Sequence, residues 1–165
     1  MSRRSAQPRT RYVVAKKKWT PAFASGNVEL TNVVPFATAN LAENSANTAA
    51  PPTATVIKVK NFKVNVDIVQ TTATTVTVAV IGVFFVPERY QPTFDIFELH
   101  PEWCMGWRMI SVSGLSEPAV QFSSRLTRNL NSGDRICLVV RSSTAAAAAT
   151  EVRFQWAASY VACNN

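Results

Sequence analysis

A chain of 165 residues with 17 basic and 10 acidic side chains, three cysteines and one histidine has room for one sizeable core and is too short for two ordinary domains. Its longest apolar run, Ala79 to Val86, falls well short of the roughly 20 residues that span a bilayer, so membrane insertion is not expected. Cys104, Cys137 and Cys163 form no CxxC pair and are odd in number, which argues against a zinc knuckle or a complete disulfide framework and for buried free thiols.

The net charge of +7 is concentrated in one place. Arg3, Arg4, Arg9, Arg11, Lys16, Lys17 and Lys18 lie within the first 18 positions with no acidic neighbour, whereas the rest of the chain carries ten basic and ten acidic residues. Residues 1–18 therefore read as a basic arm, with too many like charges and too little apolar periodicity to build a core, and residues 19–165 as a neutral body. The arm's natural partner is a polyanion. Its Arg and Lys neutralise phosphates without reading bases, and Tyr12 and Trp19 bracket the KKK run where either ring can stack on an unpaired base. Trp19 has an equal claim as an anchor that packs the root of the arm against the body. The RR and KKK clusters also fit a nuclear address. The arm has neither the apolar block nor the cleavage site of a secretory signal, so the protein is expected to be made and held inside a cell.

Along the body, Trp19 to Gly26 contains Pro21 and Gly26, punctuation that separates arm from body. Val28 to Val34 predicts a first strand, and Phe36 to Pro52, rich in Ala and Asn, predicts a long loop. From Val56 to Ile68 the apolar residues change phase: Ile57 and Val59 are odd, Phe62, Val64, Val66 and Ile68 even. One extra residue near Asn61 must be absorbed, which predicts a β-bulge that bends the strand. Lys58, Lys60 and Lys63 cluster on this strand, with Lys58 and Lys60 on the opposite phase from Lys63, so no shared basic face is expected.

A polar turn at Gln70 to Thr74 leads into Thr75 to Val86, whose Val and Phe content predicts a strand buried on both faces, or on a face and an interface. Pro87 stops it. The long excursion that follows is expected to hold a short strand at Thr93 to Leu99. Strands are predicted at Trp107 to Val112 and Ala119 to Thr127, and the turn Asn131 to Asp134 precedes one at Arg135 to Ser142, with Ile136, Leu138 and Val140 on one face. The alanines 145–149 predict a small loop tip, and Glu151 to Ala162 alternates as a last strand with Val152, Phe154, Trp156 and Ala158 on one side. Eight strands and no convincing amphipathic helix predict an all-β fold, an eight-stranded antiparallel jelly-roll sandwich with a basic N-terminal arm.

Catalytic chemistry is sparse. His100 with Cys104 is the sole His-nucleophile pair, and nothing supplies its third member at a recognisable spacing. Cupin enzymes share the double sheet but need several histidines for their metal. No GxxxxGK or GxGxxG stretch is present to cradle phosphates. Glu88, Asp95, Glu98 and Glu102 cluster in the excursion; pairing with Arg89 and Arg108 is the favoured reading over a calcium ion shared between subunits. The expectation is a protein that is not an enzyme and that uses no cofactor and no metal. Charged residues make up about 14% of the body against roughly 25% in an average soluble domain, which fits burial between copies of the same chain.

With the segments SRRSAQPRTRYVVAKKK at the start and LNSGDRICLVV from Leu130 to Val140, the whole-chain pattern resembles the single jelly-roll capsid proteins of small circovirus-like viruses with circular single-stranded DNA. Satellite-virus capsid proteins of plant RNA systems are also similar. The resemblance implies an icosahedral T=1 shell of 60 identical subunits, arms inward, packaging single-stranded nucleic acid, with DNA ahead of RNA. It implies nucleic-acid contacts at Arg3, Arg4, Arg9, Arg11, Tyr12, Lys16, Lys17, Lys18 and Trp19, a location in the virion with passage through the host nucleus during assembly, and an unidentified host receptor. It also implies that the alanine loop at 145–149 sits near a fivefold axis. This arm is shorter than the usual circovirus arm and mixes in Ser, Ala, Gln and Val. The competing class is a cellular nucleic-acid binding module of ribosomal or single-strand binding type, acting as a monomer or small oligomer, which would spread basic residues over a folded face. A secreted trimeric jelly-roll ligand would need a signal or anchor that the sequence does not show.

Overall fold

The computed structural model describes residues 18–31, 34–45, 56–71, 77–112, 119–142 and 152–164. Nine strands lie among them: β1 (Thr20–Leu30), β2 (Phe36–Glu43), β3 (Ile57–Thr71), β4 (Thr77–Val86), β5 (Cys104–Val112), β6 (Val120–Ser124), β7 (Arg128–Leu130), β8 (Arg135–Ser142) and β9 (Val152–Asn164). A single-turn helix, α1 (Ile96–Leu99), and a 3-10 turn at Pro101–Trp103 interrupt the course from β4 to β5.

All pairings are antiparallel, and they nest. β4 pairs with β5, β3 with β6 and β7, β2 with β8, and β1 with β9, so the chain forms a ribbon folded back on itself at the excursion between β4 and β5. Two further pairings, β9 with β3 and β8 with β4, close the ribbon into sheets of order β1-β9-β3-β6 and β2-β8-β4-β5. With β6 and β7 counted as one interrupted strand beside β3, this is the eight-position sandwich expected of a jelly roll.

The bulge stands where the phase change placed it. The register of β3 against β9 shifts between Lys60 and Lys63, and Asn61 has φ of 57°, a left-handed conformation that Asn tolerates better than most residues. Val59 and Phe62, three apart, both point into the core with about 1% exposure. β7 pairs with β3 before the bulge and β6 after it, so the partner strand breaks at 125–127 where β3 bends.

Between the sheets, Phe154, Trp156 and Ala158 of β9 and Val64 and Val66 of β3 meet Ile81 and Val83 of β4 and Ile136, Leu138 and Val140 of β8. The other face of β4 and β8 is buried as well, because Phe84, Val86, Cys137 and Val139 pack beneath Ile96 and its neighbours in the excursion. That double burial explains why both strands read as nearly unbroken apolar runs.

Three expectations are corrected. Thr93 to Leu99 is a turn and the helix α1 rather than a strand. Apolar residues at Phe94, Ile96, Phe97 and Leu99 satisfy either period over so short a stretch, and Pro101 disfavours a helical conformation at His100, ending α1 there. Phe36 to Pro52 is not all loop: Phe36–Glu43 is β2, whose alternation is masked by a register shift between Asn40 and Ala42. The first strand runs from Thr20 to Leu30 rather than Val28 to Val34, because a low-propensity stretch, TPAFASGN, is recruited by backbone pairing with β9; Pro21 is tolerated at that sheet edge. The turn proposed at 70–74 and the loop at 144–150 fall wholly or partly outside the described residues.

Trp156 is 5% exposed on the inner face of β9. Replacing it with Ala is expected to cost about 3–5 kcal/mol, measured as a lower urea midpoint with an unchanged m-value; an unchanged midpoint would contradict this placement.

Candidate nucleic-acid interface

The outward face of the β1-β9-β3-β6 sheet begins at the root of the arm. Thr20 and Pro21 pair with Ala162 and Val161 at the far end of β9, and Lys60 of β3 pairs with the same Val161. Trp19, the last residue before β1, is partly buried, and the Lys60 ammonium sits 3.9 Å from its ring centroid. Such a contact is worth about 0.5–1 kcal/mol at a partly solvated site. Trp19 is thus engaged as the anchor, and Lys18 beside it is exposed.

The bulge at Asn61 changes how the neighbouring lysines are arranged. Without it, Lys63 would face the opposite way from Lys58 and Lys60. With the extra residue absorbed, Val59, Phe62 and Val64 are all buried and Lys58, Lys60 and Lys63 all lie on the outward face. Lys63 pairs across with Ser159 of β9 and Ser123 of β6, and Asn65 with Ala157 and Gln121. Around the three lysines this face is hydroxyl, amide and small apolar groups, with the exposed ring of Phe23 beyond Ser159 on β1. Its carboxylates lie towards the other end of the strands, at Asp67 and at Glu29, whose Oε2 is 3.4 Å from Arg153 Nη2. A row of cations without nearby carboxylates suits a polyanion.

The outward face of the other sheet is closed by protein. Arg135 and Arg141, at the two ends of the outward row on β8, reach into the excursion: an Arg135 Nη2 donates to Tyr90 O at 2.8 Å, and Arg141 donates to Phe94 O at 2.8 Å and to both Glu98 carboxylate oxygens. The Arg141 guanidinium also lies 4.8 Å from the Phe97 ring centroid. Gly82 makes room, since a Cβ there would stand 2.9 Å from that ring. The turn before β8 is tied in by Asp134, which accepts from the backbone N–H groups of Glu88 at 3.0 Å and Asn131 at 2.9 Å. Gly133 beside it has φ of 87°, and any side chain there would fall on Glu88.

The remaining sequence candidates resolve into structural contacts. His100 stacks on Trp103 with centroids 3.7 Å apart, and its Nδ1 is 3.2 Å from Glu102 Oε1. Burial pushes the Cys104 thiol above its ordinary value, which opposes the thiolate a nucleophile needs. Cys137 is pushed up to about 11 by burial. Glu98 pairs with Arg141 rather than Arg108, and Glu88 lies 3.7 Å from Arg89. Among the described residues no group of three or more His, Cys, Asp or Glu is placed to hold a metal ion, and no helix is long and apolar enough to cross a membrane. Of the arm residues, Lys18 and Trp19 are described; Arg3, Arg4, Arg9, Arg11, Tyr12, Lys16 and Lys17 lie outside the described residues. The lysine row on β3 was hidden from sequence reading, although the phase change at Asn61 carried the signal for it.

No protein-family model matches the chain, and no curated protein matches it. Among solved structures, the chain is similar to one from maize chlorotic mottle virus, obtained by single particle analysis, at 10% identity over 90% of each chain with a TM-score of 0.33.

The hydrogen bonds from Arg141 hold the Glu98 carboxyl below its ordinary value, against a smaller opposing effect of burial. A carboxyl with a depressed folded-state value stabilises the fold above its unfolded value, and loses that contribution as pH falls through the folded one. Because Glu98 is more than half exposed, the effect is modest, at most about 1 kcal/mol. Glu98→Gln is expected to be less stable than the parent at neutral pH and to converge with it in acid, as read by urea denaturation across pH; a constant gap would contradict the ion pair.

Proposed function

We infer that the protein is a viral coat protein, structural rather than catalytic, which assembles with copies of itself into a closed shell and holds single-stranded nucleic acid through its basic arm. The observation that carries this reading is the pairing of a ribbon-wound eight-position sandwich with a body of zero formal charge, while all +7 resides in the segment leading into β1. Neutral bodies pack side by side without mutual repulsion, and a charged segment outside the fold is free to serve the cargo.

The distribution of exposed apolar groups supports assembly. Phe23 on the edge strand β1 is 70% exposed, and Met109 on the edge strand β5 is 60% exposed. Large apolar side chains at both free edges of a sandwich are a liability in a monomer and a resource in a shell. In a T=1 shell of 60 copies the arms would bring roughly 420 positive charges, fewer than the phosphates of a genome of one or two thousand bases, so other cations would share the neutralisation. The proposed cargo is single-stranded DNA ahead of RNA, and the proposed location is the virion, with the basic runs as a nuclear address during assembly. The second reading, a cellular nucleic-acid binding module, gains one specific observation: Lys58, Lys60 and Lys63 share a folded face.

Expression of the full chain followed by electron microscopy and the 260/280 nm absorbance ratio separates the two. Uniform closed shells with a nucleic-acid spectrum are expected; a small species at every salt concentration would transfer the assignment to the binding module. Deletion of residues 1–18 is expected to leave a folded body that has lost most of its nucleic acid. For the full chain the slope of log K against log salt is expected near −5 if seven charges meet a single strand, and a slope near zero would overturn the role of the arm.

A further inference from the structure

At the open edge of the sandwich, where β6 ends one sheet and β5 the other, lies a groove of about 860 Å³, within the roughly 300–1,000 Å³ of ligand sites. Lys63, Asn65 and Gln121 line it from the outward face of the first sheet, and Trp107 and Arg108 line it from β5. Among the described residues its lining contains two cations and no carboxylate. Among the described residues, neither Lys63 nor Arg108 is in an ion pair. Trp107 stands between this groove and a second, apolar one of about 350 Å³ that holds Val80, Phe97 and Met109.

We propose that the β5–β6 groove is a nucleotide-binding site on the folded body, seating a short stretch of single-stranded nucleic acid with a base against Trp107 and its flanking phosphates at Lys63 and Arg108. The inference rests on the reading of the partner as single-stranded nucleic acid, and extends it from the arm to the body. Charge selects the occupant: two cations that pair with no described carboxylate ask for an anion, amides at Asn65 and Gln121 offer donors and acceptors to a base edge, and a half-exposed indole offers a stacking platform. An apolar protein segment would choose the neighbouring groove, where thioether, phenyl and valyl groups are gathered. Position supports the same occupant. Lys63 is the third member of the row that starts at Lys58 and Lys60, and Lys60 holds Trp19 at the arm's root, so a strand leaving the arm meets cations continuously along β3 before it reaches the groove.

The test uses the full chain, dissociated in high salt and returned to low salt with an oligothymidylate carrying a photoactivatable thymine analogue. Cross-linked peptides are mapped by mass spectrometry, and affinity is measured against salt. Cross-links are expected in the β5 segment containing Trp107 as well as in the arm. Trp107→Ala is expected to weaken binding roughly 5- to 150-fold. Lys63→Gln with Arg108→Gln is expected to make the log K against log salt slope shallower by about 1.4, as two lost phosphate contacts require. Trp107→Phe, which keeps a stacking ring, is expected to restore most of the affinity. Cross-links confined to the arm, with an unchanged slope in the double variant, would overturn the groove while leaving the arm's role intact. Failure of the full chain to retain the oligonucleotide at low salt would overturn both. A Trp107→Ala protein that binds normally but no longer self-associates would assign the indole to contacts between copies and remove it from this site.

Discussion

One residue's excess length in β3 determines which way the central part of the first sheet faces. Side chains alternate strictly along a strand, so a chain that must bury both Val59 and Phe62 cannot run through unbroken. Asn61 absorbs the conflict in a left-handed conformation. The consequences spread in both directions: the neighbouring strand breaks into β6 and β7, and three lysines that the sequence period divides between two faces are collected on one. Core packing drives this, because the burial of Phe62 and Val64 outweighs the local cost of a positive φ at an Asn, which is of order 1 kcal/mol.

The two sheets then divide the surface between them. β4 and β8 bury both faces, because the excursion lies across their outward side, secured at its two ends by Arg135 and Arg141. The buried Nε atoms of both arginines lack an acceptor among the described residues, so both guanidinium groups contribute through their outer nitrogens, and that of Arg141 also through the Phe94 and Phe97 rings. Among the described residues no such cover lies on the opposite sheet, which presents lysines, serines and amides, with Phe23 at its β1 edge. A body with no net charge can therefore still show one face suited to phosphate and edges suited to its own kind.

Legibility from sequence followed the strength of the local pattern. β9 alternates over its whole length and was read almost to its ends; β4 and β8 were read from apolar runs; the bulge was read from a phase change. What failed had weak or ambiguous signals. β1 is half composed of Ala, Ser, Gly and Pro and exists because β9 pairs with it, while β2 hides its period behind a register shift. In the excursion, four apolar residues served two periods equally, and the tertiary task of covering Phe84 and Val139 decided in favour of a helix. The groove between β5 and β6 joins residues from four separate strands, and no sequence spacing announces such a meeting.

The nested ribbon also sets an order of events during synthesis. β9 lies between β1 and β3, so the first sheet lacks its middle until the most C-terminal of the described strands has left the ribosome. Every pairing that involves β1 or β2 joins distant parts of the chain, so closure waits for the late strands β8 and β9. The seven charges that precede β1 are synthesised before the body and are available to a polyanion while the body is still an open chain. In the proposed function, encounter with cargo thus precedes completion of the fold, and a bound strand gathers several unfinished chains in one place before their edges become competent to join.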